Sequence, residues 1–521
     1  MKGAGSPPEE VGRPSADPER RMTDLTMDSL AWASFGAVGQ VLLQVGVLLV
    51  LARLLTPEDF GVVALATLIL GFTTFFWKLG VGPALVQRPM ITTAHVETAF
   101  TCSLLLGATF MAGVLLSAPM IGRFFDAPRL IPVLRVTTIV YLLGGSIVVA
   151  ESLLQRHMRF KLIAVIQLAS YFMYGLVSIV AAVAGAHVWA LVLGLVAQSA
   201  TEAVLVLKSQ PHTKRLRLQR RAFGQLLSFG GGNTIGEIAN YCALQGDNFV
   251  TGRLLGTSAL GLYGRAYNLM AMPANLFASA VDTVLFPAMA RVQSEPARVA
   301  VAFRRSMAMT ALIALPGSAL TFVLAPEAVA VLLGDQWTPV VPILRILALG
   351  VFFRTGYKLA ASVARAHGKV YQMAWRQAVY AILVVAGSWA GAHAYGIRGV
   401  AFAVLVALAV TFALFTSIAL HLTNQSIFAL MRVLVAPTWL ALLTLAAAQS
   451  LALLLRGADS PPLLTSIGVL AATLSLVTLA ARTWPNVFLG DEGRWGMRTL
   501  WTFTLGKLGK RQLPDEESSP R

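Results

Sequence analysis

The chain carries about fourteen apolar runs of near 20 residues, enough for each to cross a bilayer as a helix. Backbone N–H and C=O groups have no partners in hydrocarbon, so each run must close its own hydrogen bonds. That restricts the fold to a bundle of membrane-spanning helices. Composition agrees: only 12% of the residues are charged, whereas soluble domains carry about a quarter. The expected fold class is an all-α integral membrane protein with about 14 transmembrane helices in two six-helix pseudo-repeat lobes plus an extra helix pair. The splits near 184–187 and 393–396 rest on very short loops.

The lobes are inferred from internal repetition. Arg53 opens RLLTPEDFG, and Arg253, 200 residues on, opens RLLGTSALG. Pro132 to Arg135 reads PVLR and Pro342 to Arg345 reads PILR, now 210 apart. At that same offset His157 answers His367 and Arg159 answers Lys369. The order is kept, and a ten-residue insertion accounts for the shift. Doubled bundles are common among secondary transporters, with the substrate site where the halves meet. The resulting division is a disordered tail over 1–28, a first lobe over 29–207, a basic linker over 208–223 and a second lobe over 224–421. The extra helices follow over 430–483, with a basic tail over 484–521. The even helix number makes the lobes parallel, related by an axis along the membrane normal.

Net charge is +17, which in a soluble chain would suggest nucleic acid. Here the cations alternate by loop. With the N-terminus inside, the linker alone holds Lys208, Lys214, Arg215, Arg217, Arg220 and Arg221 on the cytoplasmic side. Outer ends keep few: Arg53, Arg123, Arg129, Arg253, Arg398 and Arg456. The positive-inside rule then places both termini in the cytoplasm and leaves no need for a nucleic-acid partner. Residues 1–28 lack the apolar core of a signal peptide, and Met22 and Met27 are alternative starts just before the first span. In the C-terminal tail Trp484, Trp495 and Trp501 interleave with Arg494, Arg498, Lys507 and Lys510. That suits either a segment lying on membrane lipids or a solvated basic tail. Cys102 and Cys242 lie inside spans and read as core residues, offering neither a disulfide framework nor a metal site. No cofactor is called for, and no ATP-binding motif is present.

The chemistry sits in polar residues within the spans. Asn233, Glu237, Asn240, Leu244 and Asp247 share one face of the seventh helix. Arg265, Asn268, Met272, Asn275, Ser279 and Asp282 do so on the eighth. Such stripes line a hydrated cavity or serve interhelical hydrogen bonds. Arg354, Lys358 and Arg365 share a face of the tenth helix, and Lys78 lies near the inner end of the second. The carboxylates available, Glu237 and Asp247, are too few to neutralise these cations, so the cavity should be net positive. A phosphate-bearing lipid suits it, because guanidinium groups bind phosphate oxygens bidentately.

Three segments carry a resemblance. LARLLTPEDFGVVALATLILGFTTFFWKLGVGPALVQR resembles the N-terminal signature of bacterial polysaccharide flippases. GDNFVTGRLLGTSALGLYGRAYNLMAMPANLFASAVDTVLFPAMARVQ resembles their second-half signature, and LLGDQWTPVVPILRILAL a third block. The chain is thereby similar, over residues 30–420, to the Wzx-type branch of the multidrug/oligosaccharidyl-lipid/polysaccharide exporter superfamily. Arg53, Asp247, Arg253, Gly261, Arg265 and Pro287 stand at matching positions. The resemblance implies two lobes around a cationic cavity that rock to move an undecaprenyl-pyrophosphate-linked oligosaccharide to the outer leaflet. Other polysaccharide-assembly proteins are further candidate partners.

Alternatives are a multidrug or cation antiporter of the same superfamily, or a lipid II flippase. An enzyme is not expected. A membrane glycosyltransferase would need outer-loop acids, and Glu58-Asp59 is the one such pair, a turn after Pro57 that its repeat partner Ser258-Ala259 does not share. A polymerase or ligase would need a long outer loop. Arg265, Arg354 and Lys358, with Arg53 and Arg253 nearer the outer mouth, are expected to form a positive path, joined by Asn268 and Asn275. Arg53 and Arg253 also read as headgroup anchors or a packing motif. Asp247 and Arg265 lie about nine residues either side of the turn near residue 256, about 13 Å below it. They are therefore expected to be neighbours, with Glu237 as a second charge-pairing or ion-coupling group.

Overall fold

A computed structural model describes residues 39–78, 80–271 and 295–495, and every regular element among them is helical. The first half of the chain forms α1 (Gly39–Leu54), α2 (Pro57–Lys78), its short continuation α3 (Val81–Gln87) and α4 (Thr93–Phe124). It continues with the consecutive pair α5 (Leu130–Thr137) and α6 (Ile139–Arg156), then α7 (Phe160–Val183) and α8 (Val188–Ser209). The second half forms α9 (Arg220–Leu254), α10 (256–271), α11 (Pro296–Val323) and α12 (Ala325–Leu332). After a 3-10 turn come α13 (Val340–Ala348) and α14 (Val351–Ala366), bent by 41° against each other, and α15 (Val370–Leu422). α16 (Ile427–Gly457), α17 (Pro462–Thr483) and α18 (Pro485–Phe488) follow.

Nine described helices are long and apolar enough to cross a membrane, or ten if the bent pair is one span. α15 counts once there, although it is two limbs. Tyr395 and Gly396 leave helical angles, Gly391 abuts Gly399, Gly387 abuts Ala403, and Arg376 Nε donates to Leu414 O at 2.9 Å. Those pairings run antiparallel about Tyr395–Gly396, so the short loop expected near 393–396 is a hairpin turn. The split expected at 184–187 is likewise present between α7 and α8.

The repeat is written into the backbone. α6 and α14 are capped by His157 and His367. The next residues, Met158 and Gly368, take φ of 55° and 66°. Arg159 and Lys369 then adopt φ/ψ of −80°/48° and −80°/49° before α7 and α15 begin. α1 ends at Leu54 and α9 at Leu254.

The two copies meet through glycine. A β-carbon on Gly61 of α2 would lie 1.7 Å from the Thr257 carbonyl oxygen, and one on Gly261 of α10 would lie 1.9 Å from that of Pro57. Each glycine would also approach the other's backbone nitrogen at 3.1 Å. The contact is reciprocal at the 200-residue offset, as an isologous contact must be. Around it the halves exchange side chains. Phe60 is buried in the cluster dominated by the second half, and Leu260 in the cluster of the first. At the same end Trp337 Nε1 donates to Ala52 O at 2.8 Å, and Gln336 Nε2 to Ala52 O and Leu55 O at 2.6 and 3.2 Å. These donors satisfy carbonyls that the end of α1 leaves open. α2 then starts on a capping box: the Asp59 carboxylate accepts from Thr56 N and Oγ1 at 3.0 and 2.8 Å.

At the opposite end the linker after α8 is tied to the first half. Arg217 N and Gln219 N donate to Thr101 and Thr98 hydroxyls on α4 at 2.9 and 3.2 Å. His212 packs edge-on against Phe100, and its burial pushes the imidazole below the usual histidine range. Gln225 of α9 accepts from Arg88 at 2.7 Å and meets His95 Nε2 at 3.0 Å. His95 Nδ1 accepts from Thr92 N at 3.1 Å, which leaves Nε2 as the donor to Gln225. The extra helices attach to the second half. Arg456 of α16 binds Glu327 of α12 through Nε and Nη2 at 2.7 and 3.0 Å, beside the apolar seam of Val323, Leu324, Ala448, Ala452 and Val469.

Replacing Gly261 with Ala forces α2 and α10 apart at a backbone oxygen that cannot rotate away. We expect the α1–α2 end to open, and a cysteine at Ala52, fully buried here, to label about tenfold faster with a maleimide, equivalent to ~1.4 kcal/mol. Equal labelling rates with and without Gly261→Ala would show that the glycine contact does not hold this end shut.

Candidate functional site

α10 presents two functional faces. Residues 263 and 265 lie about 200° apart on a helix, so they cannot address the same neighbour. Tyr263 and Tyr267, one turn apart, face into the second half. Arg265, with Gly261 and Asn268 at helical spacing, faces the first.

On the first-half side α1, α2, α7 and α10 enclose a cavity of about 290 Å³. Its polar and aromatic lining is Gln44, Phe60, Tyr171, Tyr174, Arg265 and Asn268. The Arg265 guanidinium carbon stands 3.9 Å from the centre of the Phe60 ring. Among the described residues Arg265 makes no ion pair. A cation–π contact contributes about 2 kcal/mol when desolvated, less than the several kcal/mol cost of burying an ion. The half-buried charge is therefore held at the boundary of the halves with no carboxylate partner among the described residues.

On the other side Tyr263 donates to Asp247 Oδ2 at 2.6 Å, and Asn248 N to Oδ1 at 2.8 Å. Tyr263 and Asp247 are both buried. Tyr267 stacks near Tyr263 with ring centres 6.1 Å apart and accepts a hydrogen bond from Arg354 Nη1. Arg354 also lies over the Tyr267 ring, 5.0 Å from its centre.

The expected neighbours Asp247 and Arg265 are thus not brought together. Asp247 addresses the Tyr263 face of α10 and Arg265 leaves from the opposite one. The cation whose field reaches Asp247 is Arg354. Arg354 itself packs inside the second half against Tyr267 and does not line the Arg265 cavity. Lys358, one turn along α14, is half-buried and engaged, and Arg365 is exposed and engaged. Asn240 accepts from Gln377 of α15 at 3.3 Å. Where it is described, the α9 stripe therefore serves interhelical hydrogen bonds, while the α10 stripe supplies Arg265 and Asn268 to a cavity. The side chains of Asn233, Glu237 and Lys78, and the residues Asn275, Ser279 and Asp282, lie outside what the structure describes.

Arg53 and Arg253 stand at the α1–α2 end and cross reciprocally. Arg53 Nη2 donates to Val331 O in the second half at 3.0 Å. Arg253 lies over Phe124 at the end of α4 in the first, 5.2 Å from the ring centre. The RLL repeat is a packing motif between the halves. Sequence reasoning missed Gln44, Phe60, Tyr171 and Tyr174. The tyrosines, with ring centres 5.2 Å apart, had a signal: two phenols three residues apart in an apolar span.

A family model described as polysaccharide biosynthesis protein matches residues 50–342. The succinoglycan biosynthesis transport protein ExoT of Rhizobium meliloti (strain 1021) is 27% identical over 71% of this chain and 74% of its own. The lipopolysaccharide biosynthesis protein WzxC of Escherichia coli (strain K12) is 23% identical over 67% of this chain and 71% of its own. Among solved structures, the lipid II flippase MurJ in an inward closed conformation superposes with a TM-score of 0.70 at 12% identity, covering 87% of this chain and 99% of that one. An inward-facing multidrug MATE transporter gives 0.56 at 16% identity over 75% and 96%. These two establish the fold. With more than half its length matched by one family model, this multi-pass membrane protein belongs to the polysaccharide biosynthesis protein family, as a Wzx-type flippase.

Proposed function

We propose that the chain moves an undecaprenyl-pyrophosphate-linked oligosaccharide across the cytoplasmic membrane by alternating access, with both termini in the cytoplasm. The observation that carries this reading is Arg265, a half-buried guanidinium that has no carboxylate partner among the described residues, in a cavity walled by both halves. A guanidinium fixed over Phe60 keeps its donor edge free for phosphate oxygens. Gln44, Asn268 and the two tyrosines add neutral donors around it. The printed roles of ExoT and WzxC, in succinoglycan transport and lipopolysaccharide biosynthesis, support a glycan-bearing substrate. A cation antiporter fits less well, since the charged group that lines this cavity among the described residues is a guanidinium, which would repel its substrate.

In this reading Arg53 and Arg253 are not substrate ligands but parts of the outer closure, with Gly61 and Gly261. Arg354 and Lys358 act within the second lobe. Asp247 and Arg354 form a charge pair spaced by Tyr263 and Tyr267, which holds α10 and hence Arg265 in register. Glu237 and Asn275 remain candidate polar groups along the same two helices.

Glycan export in cells carrying Arg265→Ala and Arg265→Lys tests the site. Ala should reduce export at least about a hundredfold, as loss of a buried charge contact does, and Lys should retain part, keeping the charge without the fork. Normal export by both variants at wild-type abundance would sink the cationic-cavity mechanism. A second measurement addresses register. Asp247→Asn keeps an acceptor for Tyr263, so it should unfold at nearly the wild-type temperature, whereas Asp247→Ala strands a buried hydroxyl and should lose about 1–3 kcal/mol. Equal loss in both variants would assign the effect to charge alone.

A further inference from the structure

The turn joining α7 to α8 and the turn inside α15 occupy the same place in the two halves, between their last two spans. Both contain a residue in a conformation open almost solely to glycine. Gly396 takes φ 58° and ψ −138°, and His187 takes φ 47° and ψ −128°. A β-carbon there meets its own backbone, so any L-residue other than glycine is strained. The second half makes this turn with glycine. The turn itself does not need an imidazole, yet the first half keeps one against that strain.

His187 lines a pocket of about 610 Å³ at the α1–α2 end, together with Thr56, Glu58, Asp59, Arg129 and Trp189. The pocket is separate from the Arg265 cavity and shares no lining residue with it. Asp59 is buried and committed to Thr56 in the α2 cap. Glu58 and Arg129 pair at 3.2 Å with both side chains well exposed. His187 is exposed and makes no side-chain hydrogen bond among the described residues, and Trp189 is 36% exposed. The ion pair leaves no net charge to attract a phosphate. It does offer a carboxylate that accepts, a guanidinium that donates, an imidazole that does either, and a flat indole. That set matches a ligand whose hydroxyls both donate and accept around an apolar C–H face, and the volume lies in the range of small-molecule sites.

We propose that this pocket binds a pyranose sugar of the oligosaccharide as it emerges on the outer side, with Trp189 against the ring face and His187, Glu58 and Arg129 on the hydroxyls. The proposal rests on the flippase reading and its orientation. It gives the outer end a glycan site distinct from the cationic cavity between the lobes.

Saturation-transfer NMR on the full-length protein in lipid nanodiscs, with lactose and cellobiose as probes, reads such contacts. Transfer to ring C–H protons is expected for at least one disaccharide, falling about tenfold in Trp189→Ala. His187→Gly should melt at a higher temperature than the wild type, because strain is relieved, while its sugar signal also falls. A stabilised His187→Gly that keeps the full signal overturns the proposal, as does a wild type with no transfer. The two readings fail separately. Loss of export in Arg265→Ala without a sugar signal in the wild type removes the pocket alone. Normal export in Arg265→Ala with the signal intact removes the cationic cavity alone.

Discussion

Two carbonyl oxygens, those of Pro57 and Thr257, occupy the space where the β-carbons of Gly261 and Gly61 would stand. The rest of the lobe interface follows from that close approach. It brings α2 and α10 near enough for Phe60 to enter the second half and Leu260 the first. It sets α1 under the side chains of Gln336 and Trp337, which complete its last carbonyls. It also fixes the height of Arg265 against Phe60, one turn below the glycine. A single methyl at either glycine would disturb all of these together, because the obstructing atoms are backbone.

The frame is symmetric, and the chemistry lies where the symmetry is broken. By the 200-residue offset the counterpart of Arg265 is Leu65, which is fully buried against Leu260 in the apolar cluster of the first half. The counterpart of Phe60 is that same Leu260. One copy of the motif thus makes an apolar plug, and the other makes a guanidinium on an aromatic ring beside a cavity. His187 stands apart in a similar way: Gly396 takes nearly the same backbone angles in the corresponding turn of the second half, without strain. In both cases the repeat supplies an internal control, a position doing the structural job with a bland residue.

Much of this was legible in the sequence. Run length marks the spans, and the His157/His367 and Arg159/Lys369 pairs mark helix ends that take matching backbone conformations. Arg265 and Asn268 were found because a charged stripe in an apolar helix must face something other than lipid. Spacing failed on direction. Asp247 and Arg265 are equally spaced from the turn in sequence, but the side that each helix turns to its neighbour depends on a packing angle that no single-helix pattern contains. Arg354 was misjudged for the same reason: depth in the span is readable, but the Tyr267 that receives it is not. Gln44 and Phe60 stand on consecutive helices and the tyrosines more than a hundred residues on, and only the fold makes them a single wall.

The energy scale of the closure bears on transport. Four hydrogen bonds cross between the halves at the α1–α2 end, from Arg53, Gln336 twice and Trp337. At about 1 kcal/mol net each they hold this end by roughly 4 kcal/mol. A ligand can shift such an equilibrium only by its differential affinity for the two states, and a swing from 1:99 to 99:1 needs about 5.5 kcal/mol. An anion that satisfies Arg265 gains on that scale, since truncating a buried charged contact costs about 2–5 kcal/mol. On the proposed reading, the Arg265 guanidinium is thus of the right magnitude to couple binding to opening. An internal carboxylate paired with it would cancel that coupling, and the side of α10 that bears Asp247's partner is the side turned away.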